Sequence, residues 1–138
     1  MEEFLLKAKK EGIKTMQVAL IVEKNDKILL LEPRSLGFQK AYTLVELEVL
    51  PEENLQQAIF KASLRNLNLS IKKIKKFLTY KDSNQNTRTF YFVVEVHDPE
   101  DLQPKEHQSF AWVEPKESFG YPILETTREI LDLYQRAL

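Results

Sequence analysis

The segment LEVLPEENLQQAIFKASLRNLNL, residues Leu47–Leu69, decides the fold of this chain. In this segment Pro51 is followed directly by the acidic residues Glu52 and Glu53, and all three suit the first turn of a helix. Apolar residues then recur at three- and four-residue spacing, which predicts a helix over residues 54–67 with one buried stripe. Asn68 follows, and asparagine tolerates the left-handed conformation that often ends a helix. The stripe consists of Leu55, Ala58, Ile59, Ala62 and Leu67.

The elements predicted around this helix form a mixed sheet with helices on both faces, an α/β architecture. Two apolar runs, at residues 15–22 and 27–33, are joined by the turn residues Asn25 and Asp26 and predict a strand pair. Their near-continuous apolar character indicates a sheet that is covered on both faces. The other predicted elements are a loop at 34–39, a strand-like segment at 41–49, a hairpin of strands at 71–80 and 87–96, a short strand at 109–115 and a closing helix that includes 127–138.

The first residues predict a short extra helix. Three apolar residues fall on one side of residues 2–11, and Gly12 can end the helix with a left-handed cap. We therefore divide the chain into this N-terminal helix, residues 1–12, and a single domain, residues 13–138. A chain of 138 residues with 43% hydrophobic content is large enough to bury one core.

The composition argues against several classes of function. With 20 Lys and Arg against 21 Asp and Glu, no global field recruits nucleic acid or a membrane surface. The chain has no Cys, which excludes disulfides, thiolate metal sites and a cysteine nucleophile, and two His are too few for a His-rich zinc site. No stretch has the apolar core of a signal peptide or the roughly 18 apolar residues of a membrane span. We expect a cytoplasmic protein with no membrane or nucleic-acid partner.

The segment Leu47–Leu69 is similar to a known motif. That motif runs Gly, five residues, Glu, seven residues, Arg-Glu, an apolar residue, any residue, Glu-Glu, any residue, Gly and an apolar residue. This motif is the Nudix box of the Nudix hydrolase superfamily. Only Glu53 at the first Glu, the positive charge of Lys61 at the Arg and Leu69 at the last apolar position match it, so the box is degenerate. Without a gap, its positions are occupied in order by Leu47, Glu53, Lys61, Ala62, Arg65, Asn66, Asn68 and Leu69.

The resemblance extends beyond the box, from about Thr15 to the C-terminus. Tyr42-Thr43 ahead of the box and the aromatic strand around Tyr91 have counterparts in Nudix proteins. The segment EHQSFAWVEPKES, which begins at Glu106, resembles the Glu-His-Gln, aromatic, Trp pattern of the asymmetric diadenosine tetraphosphate hydrolases. This resemblance implies the Nudix fold. By analogy with that subfamily, it also implies that Tyr91 stacks on an adenine ring and that Glu106 lies near the metal site.

The residues on the metal-binding face of the box are the wrong types for a metal site. In the family, the three later glutamates share one helix face and carry the divalent metal that polarises a pyrophosphate. Here Ala62, Arg65 and Asn66 offer a methyl, a guanidinium and an amide, whereas magnesium requires oxygen ligands. We expect no metal cofactor and no metal-dependent hydrolysis. Arg65 is either an ordinary solvated residue or, with Lys61, binds phosphate oxygens directly.

The alternative is a divergent active hydrolase. Glu46 and Glu48 alternate along an extended segment and share one face of it. Together with Glu53 and Glu106, they are the acidic set that could hold magnesium or manganese at the same place. Glu53 and Glu106 are then the catalytic candidates, with a nucleoside diphosphate-linked substrate such as diadenosine tetraphosphate. Glu53 is equally suited to satisfying the first-turn amides of the helix.

The predicted ligand is a nucleoside polyphosphate-like molecule, and a partner protein is the other expectation. The aromatic candidates, Tyr42 and Tyr91, are either core residues or surfaces on which a base stacks. The expected ligand-binding set is Arg65, Lys61, Tyr91, Tyr42 and Glu106.

Overall fold

The computed structural model describes residues 1–33, 41–105 and 107–138, and the order of its helices and strands agrees with the predicted order. The predicted loop at 34–39 lies outside the described residues. Two short 3₁₀ turns lie at Pro99–Asp101 and Pro115–Gly120. The elements are α1 (Glu2–Lys10), β1 (Thr15–Lys24), β2 (Lys27–Pro33), β3 (Val45–Glu48), α2 (Leu55–Leu67), β4 (Ile71–Asp82), β5 (Thr87–Val96), β6 (His107–Val113) and α3 (Glu125–Arg136).

Strand β1 is the centre of a mixed sheet. It pairs in parallel with β5 along Thr15–Glu23, and antiparallel with β3 along Gln17–Leu20 and with β2 at its end. The two predicted hairpins, β1–β2 and β4–β5, are both present. The strand order is β4-β5-β1-β2-β6, with β3 branching from β1. The mixed sheet expected from the sequence is therefore confirmed.

Both faces of the sheet are covered, as the apolar strand runs predicted. Side chains alternate along β1, so that Val18 and Leu20 belong to the core on the side of α1 and α2. Ala19 and Ile21 belong to the core on the side of α3. The α3 residues in this second core are Ile130, Leu131 and Tyr134.

Helix α2 has well-defined ends. It begins at Leu55 rather than near Pro51, because Asn54 caps it: the Asn54 side chain accepts from the Gln57 amide at 2.8 Å, and the Gln57 side chain accepts from the Asn54 amide at 2.9 Å. Asn68 ends the helix with φ 61°, which confirms the predicted left-handed cap. The predicted stripe is buried throughout, at Leu55, Ala58, Ile59, Ala62 and Leu67.

Helix α1 is packed on the sheet beside α2. The ring of Phe4 lies 4.6 Å from Phe77 and 5.9 Å from Phe90, centroid to centroid. Beyond the helix, the buried guanidinium of Arg88 contacts Glu11 at 2.6 Å and also pairs with a carboxylate of the β4–β5 hairpin. These contacts fix both ends of α1. In the described ranges, no helix is long and apolar enough to cross a membrane.

Candidate functional site

Glu53, the first glutamate of the box, has partners for both carboxylate oxygens. Its Oε2 lies 2.5 Å from Lys61 Nζ, and its Oε1 accepts a hydrogen bond from the Leu50 amide at 2.9 Å. The hydrogen bond from Lys61 is the largest cause that lowers the Glu53 pKa, and the positive charge of Arg65 lowers it further. Glu53 therefore fastens the β3–α2 connection to α2. The cap of the helix is Asn54, so Glu53 does not serve the first-turn amides.

The later box positions form a face that carries a hydrogen-bond donor. Ala62 is fully buried, Arg65 is exposed and Asn66 is half-buried. The side-chain amide of Asn66 donates to the main-chain carbonyl oxygen of Glu46 at 3.3 Å. A carbonyl oxygen accepts but cannot donate, so the nitrogen of the Asn66 amide must face it. This bond connects α2 to β3.

A second group of predicted residues lies on the α3 side of the sheet. Ala19 on the central strand β1 pairs with Glu46 on β3 and with Tyr91 on β5, so Glu46 and Tyr91 lie on either side of it. Tyr91 is only 4% exposed, and its hydroxyl has no hydrogen-bond partner in the described part of the chain. Burial, with a smaller contribution from the Glu46 charge, raises the pKa of Tyr91 to about 12. Desolvation by the surrounding protein raises the pKa of Glu46, although this side chain remains accessible to solvent.

Tyr42 lies in the same part of the molecule and is more accessible than Tyr91. Its ring is half-buried and meets Tyr121 edge to face, with the centroids 5.4 Å apart. Its main-chain amide donates to the Pro122 carbonyl at 2.7 Å. Tyr42 thus keeps a partly open aromatic surface, whereas the ring of Tyr91 belongs to the core.

Comparison with solved structures identifies the architecture. The chain matches the solution structure of the E. coli ORF135 protein with a TM-score of 0.75 and 22% identity, covering 91% of this chain and 92% of that one. It matches a NUDIX hydrolase from Nitrosomonas europaea with a TM-score of 0.71 and 19% identity, covering 89% of each chain. This chain has the Nudix fold. A C. elegans Ap4A hydrolase in a binary complex has the same fold, with a TM-score of 0.67 and 17% identity over 89% of this chain and 96% of that one. No family sequence model matches the chain, and no curated protein matches it in sequence.

The donor set on α2, which we call the Nudix helix because it lies at the position of the box, does not fit a divalent metal. Ala62 has no donor atom, Arg65 carries a positive charge, and the Asn66 nitrogen faces a carbonyl oxygen. Both oxygens of Glu53 are engaged by protein donors. Magnesium would need several oxygen ligands with near-octahedral geometry. Within residues 1–33, 41–105 and 107–138, no group of three or more His, Cys, Asp or Glu is arranged to hold a metal ion.

The structure brings the predicted site residues together in two groups rather than one. Glu53, Lys61 and Arg65 are neighbours on the Nudix helix and its leading connection. Glu46 and Tyr91 are neighbours on the α3 side of the sheet, the side to which Tyr42 also packs. Asn66 links the groups through the main chain of Glu46. Glu48 is exposed on the same strand face as Glu46, and Glu106 lies outside the described residues.

One cavity beside the connection that leads into α2 is too small to enclose a nucleotide. It has a volume of about 170 Å³ and lies between α1, the start of β1 and the β3–α2 connection. Pockets that enclose drug-sized ligands typically measure about 300–1,000 Å³. This cavity therefore cannot enclose a nucleotide, whereas the groove between α1 and the start of α2 is larger, at about 430 Å³. The residues that line the cavity include Leu5, Lys9, Lys14, Met16, Glu48 and Glu53.

Proposed function

We propose that this protein is a Nudix-fold domain that lacks metal-dependent pyrophosphate hydrolysis and binds a nucleoside polyphosphate-like ligand. The hydrogen bond from Asn66 to the Glu46 carbonyl carries the first half of this proposal. An ionised glutamate at the same position would offer only acceptors and would need a cation to face that carbonyl. Asn66 supplies the donor itself, so this contact is satisfied without a metal.

The charge balance of the Nudix helix supports a phosphate ligand. Lys61 and Glu53 neutralise one another, whereas Arg65 forms no ion pair within the described residues. Its guanidinium is exposed and can bind two phosphate oxygens at once. Arg65 therefore binds the phosphate, whereas Lys61 pairs with Glu53 and does not contact the ligand. Tyr42, with its half-exposed ring, is the candidate surface for a base.

The binding half of the proposal is tested by thermal unfolding in EDTA with ATP, diadenosine tetraphosphate, ADP-ribose and inorganic tripolyphosphate. We expect polyphosphates to raise the melting temperature of the wild type and Arg65→Ala to abolish the increase. Arg136→Ala is the matched control, because Arg136 is an exposed helical arginine on α3. A larger shift with ATP than with tripolyphosphate, lost in Tyr42→Ala, would support base stacking. An unchanged melting temperature across the panel would refute ligand binding.

The catalytic half is tested by incubating the same compounds with magnesium or manganese and separating the products by ion-exchange chromatography. We expect no turnover above that of a heat-inactivated sample. Turnover that is lost in Glu53→Gln or Glu106→Gln would instead establish the active hydrolase. Because the binding assay contains no metal, the two halves of the proposal can fail separately.

A further inference from the structure

The outward face of α1 carries an apolar side chain between two pairs of opposite charges. Leu6 is 59% exposed, although the opposite side of the helix is packed on the sheet. Glu2 and Glu3 precede it and Lys9 and Lys10 follow it on this face, whereas Lys7 lies about 100° further round the helix. Glu3 also lies 3.9 Å from the N-terminal ammonium, but its side chain is 81% exposed. Exposed pairs of this kind contribute little to stability, so Glu3 remains able to pair with a partner.

These charges are placed symmetrically about Leu6. With a rise of about 1.5 Å per residue, the midpoints of the acidic pair and of the basic pair each lie about 5 Å from Leu6 along the axis. A second α1 laid antiparallel, with the two Leu6 side chains opposed, therefore places each acidic pair opposite a basic pair. The same order of charges also suits the helix macrodipole. The macrodipole does not account for an exposed leucine between them.

Helix α2, across a groove from α1, also carries exposed apolar side chains. A groove of about 430 Å³ separates the two helices, with Leu6 on one wall and Gln57 on the other. Phe60 and Leu64 lie one and two turns beyond Gln57 on the same face of α2, and they are 41% and 55% exposed. Single exposed apolar residues are ordinary on protein surfaces. Leu6, Phe60 and Leu64 are three such residues on two neighbouring helices, and exposed apolar residues that lie close together mark surfaces that a second protein chain can cover.

We propose that two copies of this chain associate through α1 in an antiparallel, two-fold symmetric contact. Leu6 lies near the axis, and the acidic pair Glu2 and Glu3 of each copy faces Lys9 and Lys10 of the other. A two-fold contact requires a self-complementary surface, and the charge order of α1 has that property. The inference does not depend on the proposed ligand site, because association uses none of its residues.

Charge reversal in the full chain tests this contact. Sedimentation equilibrium of the wild type over a range of concentrations should give a mass that rises from 16.2 kDa towards twice that value. The double variants Glu2→Lys/Glu3→Lys and Lys9→Glu/Lys10→Glu each place like charges opposite one another. Each should raise the dissociation constant by at least about tenfold. An equimolar mixture of the two variants should recover the wild-type mass, because the mixed pair is again complementary.

Substitution of the apolar centre provides the second measurement. Leu6→Glu should also raise the dissociation constant, whereas Leu138→Glu, at a residue 74% exposed, should leave it unchanged. Far-UV circular dichroism and thermal melting verify that each variant is folded. A wild type that stays at 16.2 kDa up to about 1 mM would overturn the proposal. So would variants that associate like the wild type, or a mixture that stays monomeric.

Discussion

The side-chain amide of Asn66 donates a hydrogen bond to the main-chain carbonyl oxygen of Glu46, across 3.3 Å. The two residues are 20 positions apart in sequence and belong to α2 and the neighbouring strand β3. The contact lies where the Nudix pattern has a glutamate. The ungapped comparison with the Nudix box aligns Asn66 with a glutamate, so a protein amide satisfies this carbonyl at a position that the box gives to a carboxylate.

Carboxylates at the two accessible box positions should create a response to divalent cations. Arg65→Glu/Asn66→Glu places two acidic groups on adjacent helix residues next to the Glu46 carbonyl. In EDTA this variant should melt at a lower temperature than the wild type, because the Asn66 bond is lost and the new charges repel. Manganese should then raise the melting temperature of the variant and leave that of the wild type unchanged. The matched variant Arg65→Gln/Asn66→Gln should not respond, and a wild type stabilised equally by manganese would contradict the prediction.

Glu53→Gln should reduce stability in a pH-dependent manner. At pH 7 we expect the free energy of unfolding to fall by about 1–2 kcal/mol, because Lys61 loses a charged hydrogen-bond partner. The folded-state pKa of Glu53 is lowered. The contribution of Glu53 to stability is therefore present above pH about 4.3, the pKa of a glutamate in the unfolded chain. It is lost as the pH falls through the lower pKa of Glu53 in the folded protein. Urea unfolding at pH 7 and at acid pH measures the difference, with the exposed Glu52→Gln as control. A difference from the wild type that is as large in acid as at pH 7 would exclude this role.

Tyr91→Phe should change alkaline stability more than neutral stability. The pKa of Tyr91 is raised to about 12 in the fold, against about 10 in an unfolded chain. The neutral phenol is therefore favoured in the folded protein, and this contribution is lost as the pH rises from about 10 to 12. At pH 8 we expect the variant to be as stable as the wild type or up to about 1 kcal/mol more stable, because an unpaired hydroxyl is removed from the core.

Urea unfolding of this variant at pH 8 and near pH 11 measures the effect. Above pH 10 the variant should lose less stability than the wild type does. Tyr80→Phe is the control, because Tyr80 is 41% exposed. Tyr134 also has a raised pKa, because it is buried and hydrogen-bonded to Glu23, and it contributes the same alkaline loss of stability in every variant. The effect of Tyr91 is therefore the difference in stability between the variant and the wild type. If Tyr91→Phe and the wild type lose the same free energy of unfolding between pH 8 and pH 11, the prediction is contradicted.

Asn68 provides a test of the helix end. Its φ of 61° lies in the left-handed region, where a β-carbon costs roughly 1–2 kcal/mol and glycine is unstrained. Asn68→Ala should therefore be less stable than Asn68→Gly by about 1 kcal/mol. Both variants lose the hydrogen bond from the Asn68 side chain to the Asp101 carbonyl at 3.2 Å, so their difference isolates the backbone. Equal urea midpoints for the two variants would exclude strain at this position.

The sequence predicted the features that depend on local spacing. The buried stripe of α2, the left-handed Asn68 and the two hairpins each follow from residues within one segment. The predicted helix started at residue 54, one residue before Leu55, but Pro51 and the two acidic residues after it precede the helix and do not form its first turn. The pair of Asn54 and Gln57, three residues apart, is the signal that locates it.

Contacts between distant segments could not be derived in this way. The burial of Tyr91 depends on the register of β5 against β1 and on the packing of α3. The bond between Asn66 and Glu46 depends on where β3 crosses α2. Neither contact leaves a periodic signal, because the partners come from different segments. The pairing of Glu53 with Lys61, although closer in sequence, depends on how the turn before α2 folds back.

The parallel pairing of β1 with β5 also constrains the order in which the chain assembles during synthesis. Thr15 pairs with Thr87, and Glu23 pairs with Glu95. The central strand therefore lacks one of its neighbours until the segment ending at Val96 has left the ribosome. Until then, α2 has been made but the sheet it covers is incomplete, and the early half of the chain keeps apolar surface exposed. Closure of the sheet is a late, long-range event, and it is the step at which a nascent chain of this architecture is most exposed to aggregation.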